Sequence, residues 1–133
     1  MKRILIVDGY NVINARRRVG NAPALADERH GLVRELQDYA GFSGQRIVVV
    51  FDAWQSESRL RSVEEHGAVR VVYTRRGETA DHYIERLCDG YEEEIRYRRA
   101  EVRVATSDAL EQTIVLGRGA IRISARELLL EMG

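Results

Sequence analysis

Ile4-Leu5-Ile6-Val7-Asp8-Gly9-Tyr10-Asn11 is the stretch from which the rest of this 133-residue chain can be read. Four consecutive apolar residues, three of them β-branched, are closed abruptly by an acid and a glycine. An uninterrupted apolar run of this length reads as a strand buried on both faces, not one that alternates between core and water. The pattern recurs at Ile47 to Phe51, at Val69 to Tyr73, at Val102 to Ala105 and, more briefly, at Ile121 to Ile123.

Segments of helical period lie between these runs. Ala24 to Ala40 places Leu25, Leu32, Val33, Leu36 and Tyr39 near one face, with Gly41, Ser43 and Gly44 expected to end it. Ser58 to His66 is expected to form a short helix. Thr79 to Tyr97 is the longest helical stretch, with Ala80, Tyr83, Ile84, Leu87, Cys88 and Tyr91 on one stripe, so Cys88 belongs to the core. Asp108 to Leu116 is a further expected helix, followed by Gly117 and Gly119. Ser124 and Glu127 stand in capping-box spacing ahead of a last one. Alternation of strand and helix predicts a three-layer α/β/α, Rossmann-like domain over residues 1–133, with a central, mainly parallel sheet of about five strands.

Composition narrows the class. With 44% hydrophobic and 32% charged residues the chain has the make-up of a soluble globular protein. No apolar run approaches the roughly 20 residues of a membrane span, so no membrane partner is expected. Met1-Lys2-Arg3 brings charge too early and the apolar run is too short for a signal peptide. The single cysteine leaves no disulfide partner within the chain and no cysteine-based zinc site. A cytoplasmic protein is expected. The net charge of zero announces no polyanionic partner. Arginines do cluster, at Arg16-Arg17-Arg18, at Arg75-Arg76 and at Arg96, Arg98 and Arg99. They read either as solvated helix faces or as forks for phosphate oxygens.

The acids carry the chemistry. Asp8 follows the first strand and Asp52 the second; Asp81 opens the helix after the third, and Asp108 follows the fourth in Ala105-Thr106-Ser107-Asp108. Strands of a parallel sheet end on one edge, where open α/β sheets place ligands, so topology brings four carboxylates to one rim. Two such groups about 4 Å apart repel by roughly 4 kcal/mol at an effective dielectric near 20. Raised pKa values, arginines or a divalent cation must offset this. All-oxygen ligands suit Mg²⁺ or Mn²⁺, and such a cation assists phosphodiester chemistry. Each acid also has a plainer reading. Asp81 and Asp108 can complement helix dipoles, and Asp52 and Asp8-Gly9 can open turns.

Around this rim, Asn11 offers an amide to a carboxylate or a phosphate, or a cap to the next segment. Thr106 and Ser107 offer hydroxyls for capping or for water at a metal. Glu78 and Glu85 share a flank with Asp81 as outer-shell groups or a general base, or as members of a solvated face. His30, His66 and His82 share no ligand spacing and read as surface residues. Trp54, in a polar stretch, either stacks on a base or closes over the core.

Ile6-Val7-Asp8-Gly9-Tyr10-Asn11-Val12-Ile13, Val50-Phe51-Asp52-Ala53, Glu78-Thr79-Ala80-Asp81 and Ala105-Thr106-Ser107-Asp108 together resemble the NYN domain of the PIN-like nuclease superfamily, most closely its bacterial YacP-like proteins. The likeness covers essentially the whole chain. It implies a Rossmann-like sheet, an acidic Mg²⁺ or Mn²⁺ pocket, and cleavage of RNA. By motif position it gives Asp8, Asp52, Asp81 and Asp108 the catalytic assignment, with Asp8, Asp81 and Asp108 as metal ligands and Asn11 in the pocket. For ribosome-associated members it further implies endonucleolytic cleavage of mRNA, with the ribosome as partner. Arg16, Arg17, Arg75, Arg76 and Trp54 are candidate RNA contacts outside the shared motifs. A phosphatase is disfavoured, because Tyr10 stands where that pattern has a second Asp. A phospho-receiver domain is disfavoured because the only lysine is Lys2. A non-catalytic RNA- or ribosome-binding module of the same fold is the alternative in a different class.

Overall fold

The computed structural model describes residues 1–16, 25–53, 60–109 and 117–133. Its centre is strand β1 (Lys2–Asp8), paired in parallel with β2 (Arg46–Phe51) on one edge and with β5 (Ala100–Ala105) on the other. Outward from these lie β4 (Val69–Tyr73) beside β2 and β6 (Ile121–Ile123) beside β5, both parallel. With β3 (Ser62–His66) at the outer edge of β4, the six-stranded order is β3-β4-β2-β1-β5-β6. The described helices are α1 (Gly9–Arg16), α2 (Leu25–Ser43), α3 (Ala80–Arg96) and α4 (Ala125–Met132).

Apolar runs become a double-faced core because adjacent side chains in a strand point opposite ways. In β1, Leu5 and Val7 join a cluster with Val12 and Ile13 of α1, Leu32 and Leu36 of α2, and Leu128 of α4. Ile4 and Ile6 point the other way, into a cluster with Ala80, Ile84 and Cys88 of α3. β2 divides likewise: Ile47, Val49 and Phe51 face the first layer, Val48 and Val50 the second. Burying one such side chain is worth about 1.5–3 kcal/mol, so the alternation fixes the strand faces and hence the layering.

The structure corrects the expected helix at Ser58–His66. Residues 62–66 instead form β3 (Ser62–His66), an edge strand antiparallel to β4. A two-residue turn joins them, with Gly67 at φ 63° in its first position, the signature of a type II′ hairpin. Such an edge strand needs little apolar periodicity. Glu64 and Glu65 are exposed and Val63 is the single apolar residue, which is how a sheet edge avoids pairing with other chains. The sheet therefore has six strands, one more than expected. Helix α2 runs through Gly41 and stops at Gly44, whose φ of 72° and N–H bond to the Ala40 carbonyl make it the terminator. The helix expected from Asp108 to Leu116 falls largely on residues outside those described.

Sequence periodicity also missed α1, which begins at Gly9 directly after β1. Gly9 is buried, and a methyl group at its α-carbon would run into the Phe51 ring. Glycine is thus required by close approach of helix to strand, not by a turn. Gly9→Ala is expected to cost about 1–3 kcal/mol through overpacking, read as a lower urea midpoint. Gly31, in α2 with open space around its α-carbon, is the control: Gly31→Ala should raise stability by up to about 1 kcal/mol.

Candidate functional site at the carboxyl edge of the sheet

The strand order reverses at β1, since β2 follows on one side and β5 on the other. The crevice between β1 and β5 is therefore the switch point of the sheet, where α/β folds bind ligands. Asp8 is the last residue of β1, in register with Val50 of β2 and one step beyond the pair Val7–Ala105. It is half-buried, and its Oδ1 accepts the Asn11 N–H (3.4 Å), as the N-cap of α1 would. The Asp8 carboxylate thus sits at the positive end of the α1 dipole.

Asn11 spans the crevice. Its Oδ1 accepts the Ser107 N–H at 2.7 Å, which turns its NH₂ group away from that backbone. The loop after β5 is held from two further sides. Thr106 is fully buried, its N–H bonded to the Ile123 carbonyl and its Oγ1 accepting the Asp108 N–H. Ser107 Oγ accepts the Ala125 N–H at the start of α4 (3.2 Å). Thr106 and Ser107 thus act as loop anchors, and Asp108 stands exposed beyond them.

A second group sits on the β2 side. Asp52 Oδ2 accepts the Ala80 N–H of α3 at 3.2 Å, and Thr79 Oγ1 accepts the His82 N–H as the N-cap. Ala53 N–H donates to Thr74 Oγ1 (2.8 Å), and Thr74 N–H to the Phe51 carbonyl, tying the ends of β2 and β4 together. Asp52 and Asp81 therefore both lie at the amino terminus of α3, Asp81 half-buried in its first turn. The four acids all reach the same sheet edge. Among the described residues, however, no three of His, Cys, Asp or Glu are gathered closely enough to hold a metal ion. The trio Asp8, Asp81 and Asp108 is not preassembled as a ligand set.

The rim's donors, carboxylates with hydroxyls and one amide, are all oxygen donors, the chemistry of Mg²⁺ or Mn²⁺. Mg²⁺ commonly takes one or two carboxylates and completes its shell with water and phosphate oxygens. A rim of spaced acids fits that mode and does not fit an all-protein cage.

Glu78 is placed otherwise than on a solvated face. Glu78 is buried at 3% exposure. Its carboxylate takes two hydrogen bonds from Arg61 (3.0 and 2.5 Å), one from Arg86 (3.2 Å) and one from the Arg75 N–H (3.4 Å). Arg61 also lies over the Tyr83 ring, 4.8 Å from its centre. Bonding to Arg61 outweighs burial and holds the Glu78 carboxyl below the usual glutamate range. Glu78 is thus an ion-pair anchor. Glu85 pairs with Arg118 (3.1 Å). The periodicity reading missed the Glu78 anchor because its main partner, Arg61, directly precedes the strand mistaken for helix. Of the candidate RNA contacts, Arg16 is bound to Glu35 through both carboxylate oxygens at 2.6 Å. Arg75 and Arg76 are exposed, and Arg17 and Trp54 lie outside the described residues. His30 and His82 are exposed, while His66 contacts Glu64 at the sheet edge.

A mainly parallel, Rossmann-like sheet with acids at its switch-point edge is the architecture of the PIN-related class. The chain belongs to the YacP-like NYN domain family, whose description matches residues 5–133. It is 37% identical over 131 residues to the uncharacterized protein YacP of Bacillus subtilis, covering 97% of this chain and 74% of that one. Two crystal structures of Rae1 (YacP) from Bacillus subtilis share the fold. One, a mutant, matches at TM-score 0.77 and 37% identity over 99% of this chain and 75% of its own. The other matches at 0.75 and 35% over 97% and 72%. The family is a nuclease-like, RNA-related one.

Removing Arg61 strips two of the Glu78 hydrogen bonds and Arg86 one. Arg61→Ala is therefore expected to destabilise by about 2–3 kcal/mol and Arg86→Ala by less, by chemical denaturation. Because the folded carboxyl of Glu78 lies below its unfolded value, the stability it confers is full above the unfolded range. It drains away as pH falls through the folded value. The gap in stability between wild type and Glu78→Gln should accordingly close on acidification and stay open at neutral pH.

Proposed function

We propose that this chain is a divalent-metal-dependent endoribonuclease of the cytoplasm that hydrolyses RNA phosphodiester bonds, acting on mRNA at the ribosome. The observation that carries the reading is the placement of Asp8, Asp52, Asp81 and Asp108 on one sheet edge, at the point where strand order reverses. Family membership supports RNA as the substrate, and the ribosomal setting rests on resemblance alone.

In this reading Asp8 and Asp81, with Asp108 on the far wall, would hold Mg²⁺ or Mn²⁺ together with the RNA phosphate. The cation supplies charge for the phosphoryl oxygen and lowers the cost of making a water nucleophilic. Asp8 sits at the start of α1, and Asp52 and Asp81 at the start of α3, where helix dipoles complement negative charge. Asp52 orients the first peptide of α3 and so sets where Asp81 sits. Asn11, its oxygen occupied by Ser107, presents its NH₂ to a phosphate oxygen and holds the two walls at fixed spacing. The hydroxyls of Thr106 and Ser107 keep the Asp108 loop in place.

The spread of the acids favours one other reading, a non-catalytic RNA- or ribosome-binding module. Incubation with translating ribosomes and Mg²⁺ or Mn²⁺, followed by mapping of RNA 5′ ends, separates the two. New ends that vanish with EDTA are expected. Asp81→Asn should lower cleavage on the order of 100-fold, the rate equivalent of a few kcal/mol, with an unchanged circular-dichroism spectrum. Asp8→Asn should also stay folded, because asparagine caps a helix as well as aspartate. RNA that stays intact both on ribosomes and free in solution, with metal present, would sink the nuclease reading.

A further inference from the structure

One charged surface on the described part of the molecule adjoins the rim without being part of it. Between β4 and α3 the chain makes the tight turn Arg75-Arg76-Gly77-Glu78, closed by the Glu78 N–H bonded to the Arg75 carbonyl (3.0 Å), with Gly77 at φ 78°. The turn borders a groove of about 510 Å³, lined by Arg75, Arg76, Gly77, Glu78, His82 and Arg86. Three guanidinium groups face one carboxylate there, on a protein whose formal net charge is zero.

Two features separate this cluster from ordinary surface charge. First, three arginines line this one groove, whereas Arg16, Arg70, Arg103 and Arg118 are each matched to an acid. Arg75 and Arg76 are exposed and have no acidic partner among the described residues. Second, the cluster is anchored from beneath. Buried Glu78 holds the Arg75 backbone N–H and the Arg86 side chain, while Arg61 shares its charge from the opposite flank. Arg86 is bound through one nitrogen, so the rest of its fork remains for a second oxyanion.

The groove's position gives it a direction. Thr79 and Ala80 separate Glu78 from Asp81, and His82 lines the groove directly after Asp81. A strand whose reacting phosphate lies at the rim therefore has its neighbouring phosphates over the arginine turn if it leaves past the start of α3.

We infer that Arg75, Arg76 and Arg86 form a phosphate-binding subsite that holds single-stranded RNA beside the acidic rim, with Glu78 as the residue that positions them. This rests on the nuclease reading for the role of the rim, but the subsite itself is a binding property and can be measured without cleavage. Phosphate contacts of this kind give affinity without sequence preference and make it salt-dependent.

The test is fluorescence anisotropy of a short labelled single-stranded oligoribonucleotide, in EDTA, over a series of salt concentrations. Arg75→Ala/Arg76→Ala should weaken binding about tenfold and lower the slope of log K against log salt by about 1.4, some 0.7 for each phosphate released. Arg34→Ala/Arg46→Ala, exposed arginines away from the turn, removes the same charge and should shift affinity less than about twofold. Arg75→Lys/Arg76→Lys should restore the slope but only part of the affinity, since lysine keeps the charge and loses the fork. Equal effects from the two alanine pairs, or a wild-type protein that does not bind the oligonucleotide, would overturn the proposal. Loss of binding in the Arg75/Arg76 variant of a protein that never cuts RNA would leave the subsite standing and remove the nuclease. Normal binding by that variant of a protein that does cut would do the reverse.

Discussion

Strand β1 has a neighbour on each edge and a helical layer on each face, so its backbone amides and four apolar side chains must be satisfied without water. Parallel pairing to β2 and β5 meets the first demand, and the alternation of Leu5 and Val7 against Ile4 and Ile6 meets the second. Once both are met, Asp8 can only emerge at the carboxyl edge, between the ends of β2 and β5. The rim is thus a by-product of satisfying the core.

The same economy runs through several side chains of the rim, which also have structural tasks. Asp8 caps α1, Asp52 receives the first peptide of α3, and Asn11 receives the loop after β5. A carboxylate that completes a helix terminus is held in one orientation and meets the positive end of the helix dipole. That is one answer to the repulsion among neighbouring acids. Asp8 and Asp52, which read as turn openers in the sequence, serve helix termini instead, and such a task is compatible with the role proposed for them.

What could be read from the residues depended on how strongly local chemistry constrained them. The buried parallel strands, the Ser124 cap and the Cys88 stripe were legible because burial on both faces and helix termini leave sharp patterns. β3 was not, because a half-exposed edge strand bearing Glu64 and Glu65 has no apolar period; its signal was the Gly67 turn. α1 was masked by Asp8-Gly9, which looks like a turn until the Phe51 ring is seen against Gly9. At the site, strand ends predicted which acids share an edge, but sequence could not give their spacing. It also gave Glu78 the wrong surroundings, since a buried ion pair between residues 17 apart leaves no local trace.

The crossing made by Asn11 joins residues 96 positions apart in the chain. Closing a loop of that length comes late when a polypeptide folds, since nearby contacts form first and distant ones must overcome the entropy of the intervening chain. β1 and β2 can associate while a ribosome is still adding residues, but the far wall of the crevice is absent until β5 and its following loop have emerged. A partly made chain therefore carries half a cleft, so the rim stays incomplete until synthesis has passed Asp108.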